Sequence, residues 1–256
     1  MCNIQNKFTF CKFYVNFQGM IKFLKKISTY SENTNFRLQK EGDILKLVNI
    51  SEESSIFVDF CSKKSIKRIN ELGILKQDLI KAVGLNKKKD LSILDCTAGL
   101  GKDSFILASI TQKSVLMLER NSTSFALLKD GLRRLGEQSE NKQLSQIYNR
   151  LKLKNIDAID FLQNTKEKFD VIYIDPMFTF KKSKAKVKKE MAFFHETVGE
   201  DSDSDILLEL ALQNANRRVV VKRHKSSPFL NNKEPNLQFK GKSNRFDVYF
   251  VKSPTD

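Results

Sequence analysis

Three acids stand where an apolar run gives way to a turn: Asp95 in ILDCTAGLGKD, Glu119 in VLMLERN and Asp175 in VIYIDPMF. Carboxylates in such places sit at one edge of a sheet, where they accept hydrogen bonds from hydroxyl and amine groups of a ligand. Asp95 is followed by Gly99 and Gly101, then by Lys102 and a helical stretch from Asp103 to Ile110. Strand, glycine turn and helix N-terminus together cradle a nucleotide-like ligand, because side chains in the turn would bar it from the backbone. The dinucleotide pattern G-x-G-x-x-G is not met, since Ser104 occupies its third glycine position. A turn that only lets a helix pack on a strand is the plainer alternative.

Glu119 lies 20 residues beyond Gly99, the distance at which a carboxylate meets the ribose hydroxyls of a bound nucleotide. Arg120 follows it. A surface glutamate opening a helix would give the same residue. After the next apolar run, Asp157-Ala158 is placed to meet an adenine ring, the acid accepting the exocyclic amine; Asp157 is equally suited to cap a short helix. Asp175-Pro176-Met177-Phe178 resembles the [DN]-P-P-[FYW] loop of methyltransferases that act on exocyclic amines of bases, with Met177 in place of the second proline. Such an amine is a poor nucleophile because its lone pair is delocalised into the ring. Accepting its hydrogens on the Asp175 carboxylate and the Pro176 carbonyl aims the lone pair, and Phe178 stacks on the base. A buried turn with Phe178 in the core is the alternative.

The formal net charge of +15 suggests a polyanionic partner, although a lysine-rich genome would also produce it. Location is therefore more informative than the total. Lys181, Lys182, Lys184, Lys186, Lys188 and Lys189 crowd directly behind the Asp175 loop, where a phosphate backbone would pass. Lys222 and Arg223 end a later strand at the same edge. Arg245 offers a further contact or pairs with Asp247. His195 and His224 are not needed by this chemistry. Cys2, Cys11, Cys61 and Cys96 form no C-x-x-C pair, so neither a metal site nor a disulfide framework is expected. Lys12, Asn16, Gln18 and Lys22 interrupt Phe8 to Leu24, which supports neither a signal peptide nor a membrane span; the chain reads as cytoplasmic.

The elements that must position these residues alternate. Short strands are expected at Phe36–Gln39, Ile44–Val48 and Ile56–Phe60, followed by one helix from Ser65 to Val83. Strand Leu91–Asp95, helix Asp103–Ile110, strand Ser114–Glu119 and helix Ser122–Leu135 follow. Glu137–Gln146 reads as a loop or frayed helix. Then come strand Leu151–Asn155, helix Ala158–Gln163, strand Phe169–Asp175, helix Asp205–Asn214 and strand Arg218–Lys222. Leu237–Lys240 and Phe246–Val251 close the chain as a hairpin. The pattern implies an α/β fold whose mostly parallel sheet has an antiparallel edge. We divide the chain into an N-terminal segment (1–35), a small β/α subdomain (36–84) and a main domain (85–256).

The D-x-T-x-G-x-G stretch resembles the first motif of the S-adenosylmethionine (SAM) dependent methyltransferases, with Thr97 where the first glycine usually stands. More specifically, DCTAGLGKDSFILAS (95–109), MLERN (117–121), YIDPMFTFKKSKAKVKKEMAFFHETVG (173–199), RVVVKR (218–223) and RFDVY (245–249) resemble the bacterial small-subunit rRNA guanine-N2 methyltransferases. IFVDF (56–60) also matches. The resemblance implies a class I, Rossmann-like seven-stranded methyltransferase fold and SAM as cofactor. It also implies a guanine near the 3′ end of 16S rRNA as target, in free rRNA or in the small ribosomal subunit. By motif it implies that Lys102, Asp103, Glu119, Arg120, Asp157, Ala158 and Asp175 line the SAM site, with Asp95, Gly99 and Gly101 in its turn. Lys102 stands where arginine is common, and Asp157-Ala158 where the family tends to have serines. Two other readings remain: an adenine-N6 methyltransferase, with little chain left for target recognition, and a non-catalytic RNA-binding protein of the same fold. Oligomeric state is not legible.

Overall fold

The computed structural model describes residues 35–176 and 203–251. Phe178 and the lysines from Lys181 to Lys189 lie outside the described residues. Among those described, ten strands form two sheets.

The larger sheet holds β4 (Ile93–Asp95), β5 (Val115–Leu118), β6 (Leu151–Lys154), β7 (Phe169–Ile174), β8 (Ala215–His224), β9 (Leu237–Lys240) and β10 (Asn244–Phe250). Their order is β6-β5-β4-β7-β8-β10-β9. Neighbours from β6 to β8 pair in parallel, and β10 runs antiparallel to both β8 and β9. This is the seven-stranded sheet with an antiparallel edge that the sequence implied. The central strands β4 and β5 are buried at every residue, which is why they read as continuous apolar runs and not as alternating ones.

Alternate residues nonetheless serve different cores. Ile93, Met117, Tyr173 and Val220 belong to a core on one face, and Leu94, Leu118, Ile174 and Val221 to a core on the other. Asp95 pairs in register with both Met117 and Tyr173, and Ile174 pairs with Val221. The carboxyl ends of β4, β5, β7 and β8 are therefore nearly level. Asp95, Glu119, Asp175 and Lys222 arrive at one edge for that reason.

Helices cover both faces: α1 (Lys63–Ile69), α2 (Asp78–Val83), α3 (Lys102–Ile110), α4 (Ser122–Gly136), α5 (Lys142–Arg150), α6 (Ala158–Asn164) and α7 (Ser204–Asn214). One expectation is corrected here. The helix expected from Ser65 to Val83 is broken: α1 stops at its cap Asn70, Gly73 turns left-handed (φ 86°), and a 3-10 turn at Ile74–Lys76 leads into α2. Leu72, counted in the apolar period, is 100% exposed. Of the two readings of Glu137–Gln146, loop or frayed helix, the helical one holds from Lys142: α5 is capped by Asn141 on the Leu144 amide, and two buried residues, Leu144 and Ile147, suffice to dock it.

The smaller sheet is the antiparallel β1 (Phe36–Glu41), β2 (Ile44–Asn49) and β3 (Ser54–Ile56). The strand expected over Ile56–Phe60 is corrected: β3 ends at Ile56, because the residues after it pack instead of pairing. Val58 fills the space beside Gly131 on α4, where a Cβ would lie 2.4 Å from Val58 Cγ1. Phe60 stacks on Phe105 of α3 with ring centroids 4.8 Å apart. Arg134 donates to the Val58 carbonyl, and the Leu45 amide donates to Asp130 on α4 at 3.1 Å. The chain entering α1 is thus fixed against the first turn of α3, beside the carboxyl edge of the large sheet.

Candidate active site

The glycine turn is braced from behind by Asp95, only 2% exposed. Its Oδ1 accepts the Thr97 amide at 3.0 Å and its Oδ2 the Ser104 hydroxyl at 2.5 Å. Burial pushes the Asp95 carboxyl up to about 7, against the pull of those two hydrogen bonds, and Asp103 and Asp175 nearby add to the rise. Gly99 and Gly101 are both left-handed (φ 54° and 71°). They have different tasks. Gly99 lines a cleft, whereas a Cβ on Gly101 would meet Leu128 Cδ1 at 2.6 Å, so that glycine serves packing.

The cleft opens between the ends of β4, β5 and β7 on the face that carries Leu94 and Leu118. Its floor and walls are Cys96, Leu118, Ala158, Ile159, Pro176 and Leu207. Its polar groups come from Thr97, Glu119, Arg120, Asp157, Asp175, Asp203 and Ser204. Glu119 Oε2 accepts the Gly99 amide at 2.8 Å and Oε1 the Asn121 amide at 2.7 Å, so one carboxylate ties the glycine turn to the start of α4. Asp157 makes the helix cap that the sequence allowed and, besides it, a contact with Arg120. Its Oδ1 caps α6 at the Ile159 amide (2.8 Å), and its Oδ2 faces Arg120 Nη1 at 3.3 Å inside the cleft. Arg120 also reaches Asp203 at 3.2 Å.

Asp175 stands at the lip. Its amide donates to Thr97 Oγ1 at 2.6 Å, and its Oδ2 is 2.8 Å from Lys222 Nζ. Lys222 also lies 2.9 Å from Asp103 Oδ2, which accepts the Tyr173 hydroxyl at 2.8 Å. Burial alone would raise Asp103, but Lys222, Tyr173 and Arg68 hold it below the usual carboxylate range. Burial alone would lower Lys222, and Asp175 and Asp103 instead hold its ammonium above the ordinary lysine range. Burial beside these acids lifts the Tyr173 phenol well above its usual range, so it stays protonated and donates.

Of the residues singled out in the sequence, Gly99, Glu119, Arg120, Asp157, Ala158, Asp175 and Pro176 meet in the cleft. Asp95, Gly101 and Asp103 support it from the opposite face, and Lys102 opens α3 as an exposed residue. Three of the cations expected on RNA lie among the described residues and are placed elsewhere, Arg245 in the pairing with Asp247 that the sequence also allowed. Lys222 is enclosed by acids. Arg245 is 4% exposed; its Nε sits 2.9 and 3.0 Å from the two Asp247 oxygens, and its Nη1 donates to the His224 and Lys225 carbonyls. Arg223 is 5% exposed and donates to the Pro228 carbonyl at 2.9 Å. Burial and the neighbouring Arg245, its register partner, pull Arg223 down to about 10. Both arginines therefore tie the last strands together.

Sequence reasoning passed over Thr97 and the neighbours Cys96, Leu118 and Ile159, although Thr97 stood at a motif position. Asp203, Ser204 and Leu207 gave no signal at all, because α7 reaches the cleft only through tertiary packing. Among the described residues no group of three His, Cys, Asp or Glu side chains could hold a metal ion, and no helix is long and apolar enough to cross a membrane.

Comparison with known proteins agrees with this geometry. A family model described as "Putative SAM-dependent methyltransferase" matches residues 22–251. The chain is 41% identical over 232 residues to the ribosomal RNA small subunit methyltransferase J of Psychromonas ingrahamii, covering 89% of this chain and 90% of the relative. It is 45% identical over 184 residues to the protein of the same name from Cellvibrio japonicus, covering 70% and 69%. Among solved structures, a SAM-dependent methyltransferase from Neisseria gonorrhoeae superposes with a TM-score of 0.68 at 29% identity, covering 91% of this chain and 92% of that one.

Proposed function

The chain belongs to the SAM-dependent methyltransferase family, and we propose that its acceptor is N2 of a guanine near the 3′ end of 16S rRNA. The relatives' name, which specifies small-subunit rRNA, supports the RNA class, and the amine-binding loop supports the base nitrogen. The cleft suits SAM in the chemistry of its donors. Apolar walls from Leu118, Ile159 and Leu207 suit a flat ring, Glu119 suits vicinal hydroxyls, and the acids suit a cationic ligand. SAM, when bound, supplies an electrophilic methyl group on a cationic sulfur.

The chain's own task is to hold the amine. The Asp175 carboxylate and the Pro176 carbonyl accept its hydrogens, and a proton released from the nitrogen leaves by way of Asp175. Thr97 fixes the Asp175 backbone, so the acceptor pair is set before the base arrives. In this reading Phe178 stacks on the base and the 181–189 lysines follow its phosphates. Within the small subdomain (36–84), α1 presents Lys63, Lys64, Lys67 and Arg68, all exposed. Arg68 comes within 3.9 Å of Asp103, which puts this cationic face at the ligand edge. Lys87, Lys88 and Lys89 precede β4 at the opposite edge and are read as a solvated face.

The observation that carries the assignment is Asp175 beside Pro176 at the cleft lip. The test is transfer of labelled methyl from SAM to small-subunit particles and to naked 16S rRNA, followed by nucleoside analysis. N2-methylguanosine is expected. N6-methyladenosine would move the assignment to the adenine rival, and no transfer to either would return the chain to RNA binding.

A further inference from the structure

We propose that Lys222 is a positioning residue for the transfer: its ammonium, clamped between Asp103 and Asp175, fixes the Asp175 carboxylate and keeps it charged. This rests on the reading of Asp175 as the amine acceptor and deepens it. The geometry starts with strand parity. Val221 is level with Ile174, so Lys222 is level with Asp175. Val220 and Tyr173 share one face of the sheet; Lys222 is two residues further along β8, and Asp175 two residues beyond Tyr173, just past the end of β7. Lysine at 222 therefore reaches Asp175 from the face opposite the SAM cleft. Arg223, one residue on, is on the other side.

The charges show why a cation belongs there. Asp95 from β4, Asp103 from α3 and Asp175 after β7 face the same small region, with Tyr173 from β7 as a hydroxyl donor and Arg68 from α1 at the margin. Lys222 Nζ lies within 2.9 Å of an oxygen of two of these acids, and its side chain is only 22% exposed. Arg68 is 3.9 Å from Asp103 and half exposed, so it is the weaker partner. Without the ammonium, Asp103 and Asp175 would lose the cation they share, and Asp103 would keep only the more distant Arg68 and the Tyr173 hydroxyl. Two carboxylates in that position do not both stay ionised near neutral pH, and one takes up a proton. A protonated Asp175 would lose the negative charge that favours an amine becoming cationic as it is methylated.

The experiment compares wild type, Lys222→Met, Lys222→Arg and Asp103→Asn in single-turnover methyl transfer to the small-subunit substrate between pH 5 and 9, with SAM affinity and the KM for RNA measured alongside. Lys222→Met should transfer on the order of 100-fold more slowly at neutral pH. Its acid limb should move up by at least about one pH unit, with the KM for RNA unchanged. Lys222→Arg should return the limb most of the way. Asp103→Asn leaves the ammonium to Asp175 and should move the limb to lower pH, which keeps the proposal testable if the methionine variant does not fold. A raised KM for RNA with an unchanged rate at saturation would make Lys222 a phosphate contact and overturn the proposal. An equal loss at every pH, or a limb that Asp103→Asn does not lower, would make it a structural pin and do the same. The wild-type product is judged separately: a nucleoside other than N2-methylguanosine would refute the proposed base, while the limb shifts would still decide the lysine.

Discussion

Replacing Glu119 by glutamine looks conservative and should not be. Each carboxylate oxygen already accepts a backbone amide, Gly99 at 2.8 Å and Asn121 at 2.7 Å, in a residue only 8% exposed. Glutamine offers one oxygen and one NH2. Whichever way the amide turns, a donor then faces a backbone donor, and one buried N–H loses its acceptor at a cost of about 1–3 kcal/mol. SAM affinity should fall as well, because hydroxyls lose a charged acceptor worth about 1.5–3 kcal/mol, or roughly 10- to 150-fold in Kd. Urea unfolding of the ligand-free protein isolates the first effect, and calorimetric titration with SAM reads both. An unfolding midpoint equal to wild type together with a Kd changed less than threefold would refute the reasoning, since neither the turn nor the ligand would then depend on this carboxylate.

Asp95 should make stability fall with rising pH. Its carboxyl is pushed by burial from an ordinary 3.8 to about 7, so the folded state holds a proton that the unfolded state has lost. The associated stability is complete below pH 4 and lost as pH rises through 7. A difference of roughly three pH units corresponds to about 4 kcal/mol. Asp95→Asn should flatten the unfolding free energy over this range relative to wild type, and parallel pH profiles would contradict the burial argument. Reversing Lys63, Lys64 and Lys67 together to glutamate should raise the KM for rRNA about tenfold or more and reduce the salt dependence of binding, without touching SAM affinity. Unchanged filter binding across a salt series would remove α1 from the RNA path.

The site was legible where the chemistry lies at strand ends. Asp95, Glu119 and Asp175 each terminate an apolar run, and the parallel order brings such ends together whatever the details of packing. A strand end gives the edge but not the face. Asp95, Asp103 and Lys222 were therefore expected at the ligand or at RNA, and they lie behind the cleft, because parity and the placement of α3 decide which side a group serves. The Arg245–Asp247 pair was one of the two readings the sequence allowed, whereas the burial of Arg223 was illegible, because it follows from the pairing of β8 with β10 that sets the two arginines opposite each other. Asp203 at the cap of α7, with Ser204 and Leu207 in it, reaches the cleft across long sequence distance, and no local pattern records such a contact. Local errors had local causes. Gly73 broke a helix whose apolar period continued through Leu72, and Val58 and Phe60 packed on α4 and α3 where a strand was expected.

The central claim is that Asp175, and not merely the fold around it, holds the amine during transfer. Single-turnover methyl transfer by Asp175→Ala, with SAM and small-subunit substrate both saturating, tests it most directly. The account predicts a rate lower by about 100-fold or more, with SAM affinity reduced less than tenfold because Glu119 and the apolar walls remain. Transfer at the wild-type rate would contradict it, and the amine would then have to be held by other residues of this edge.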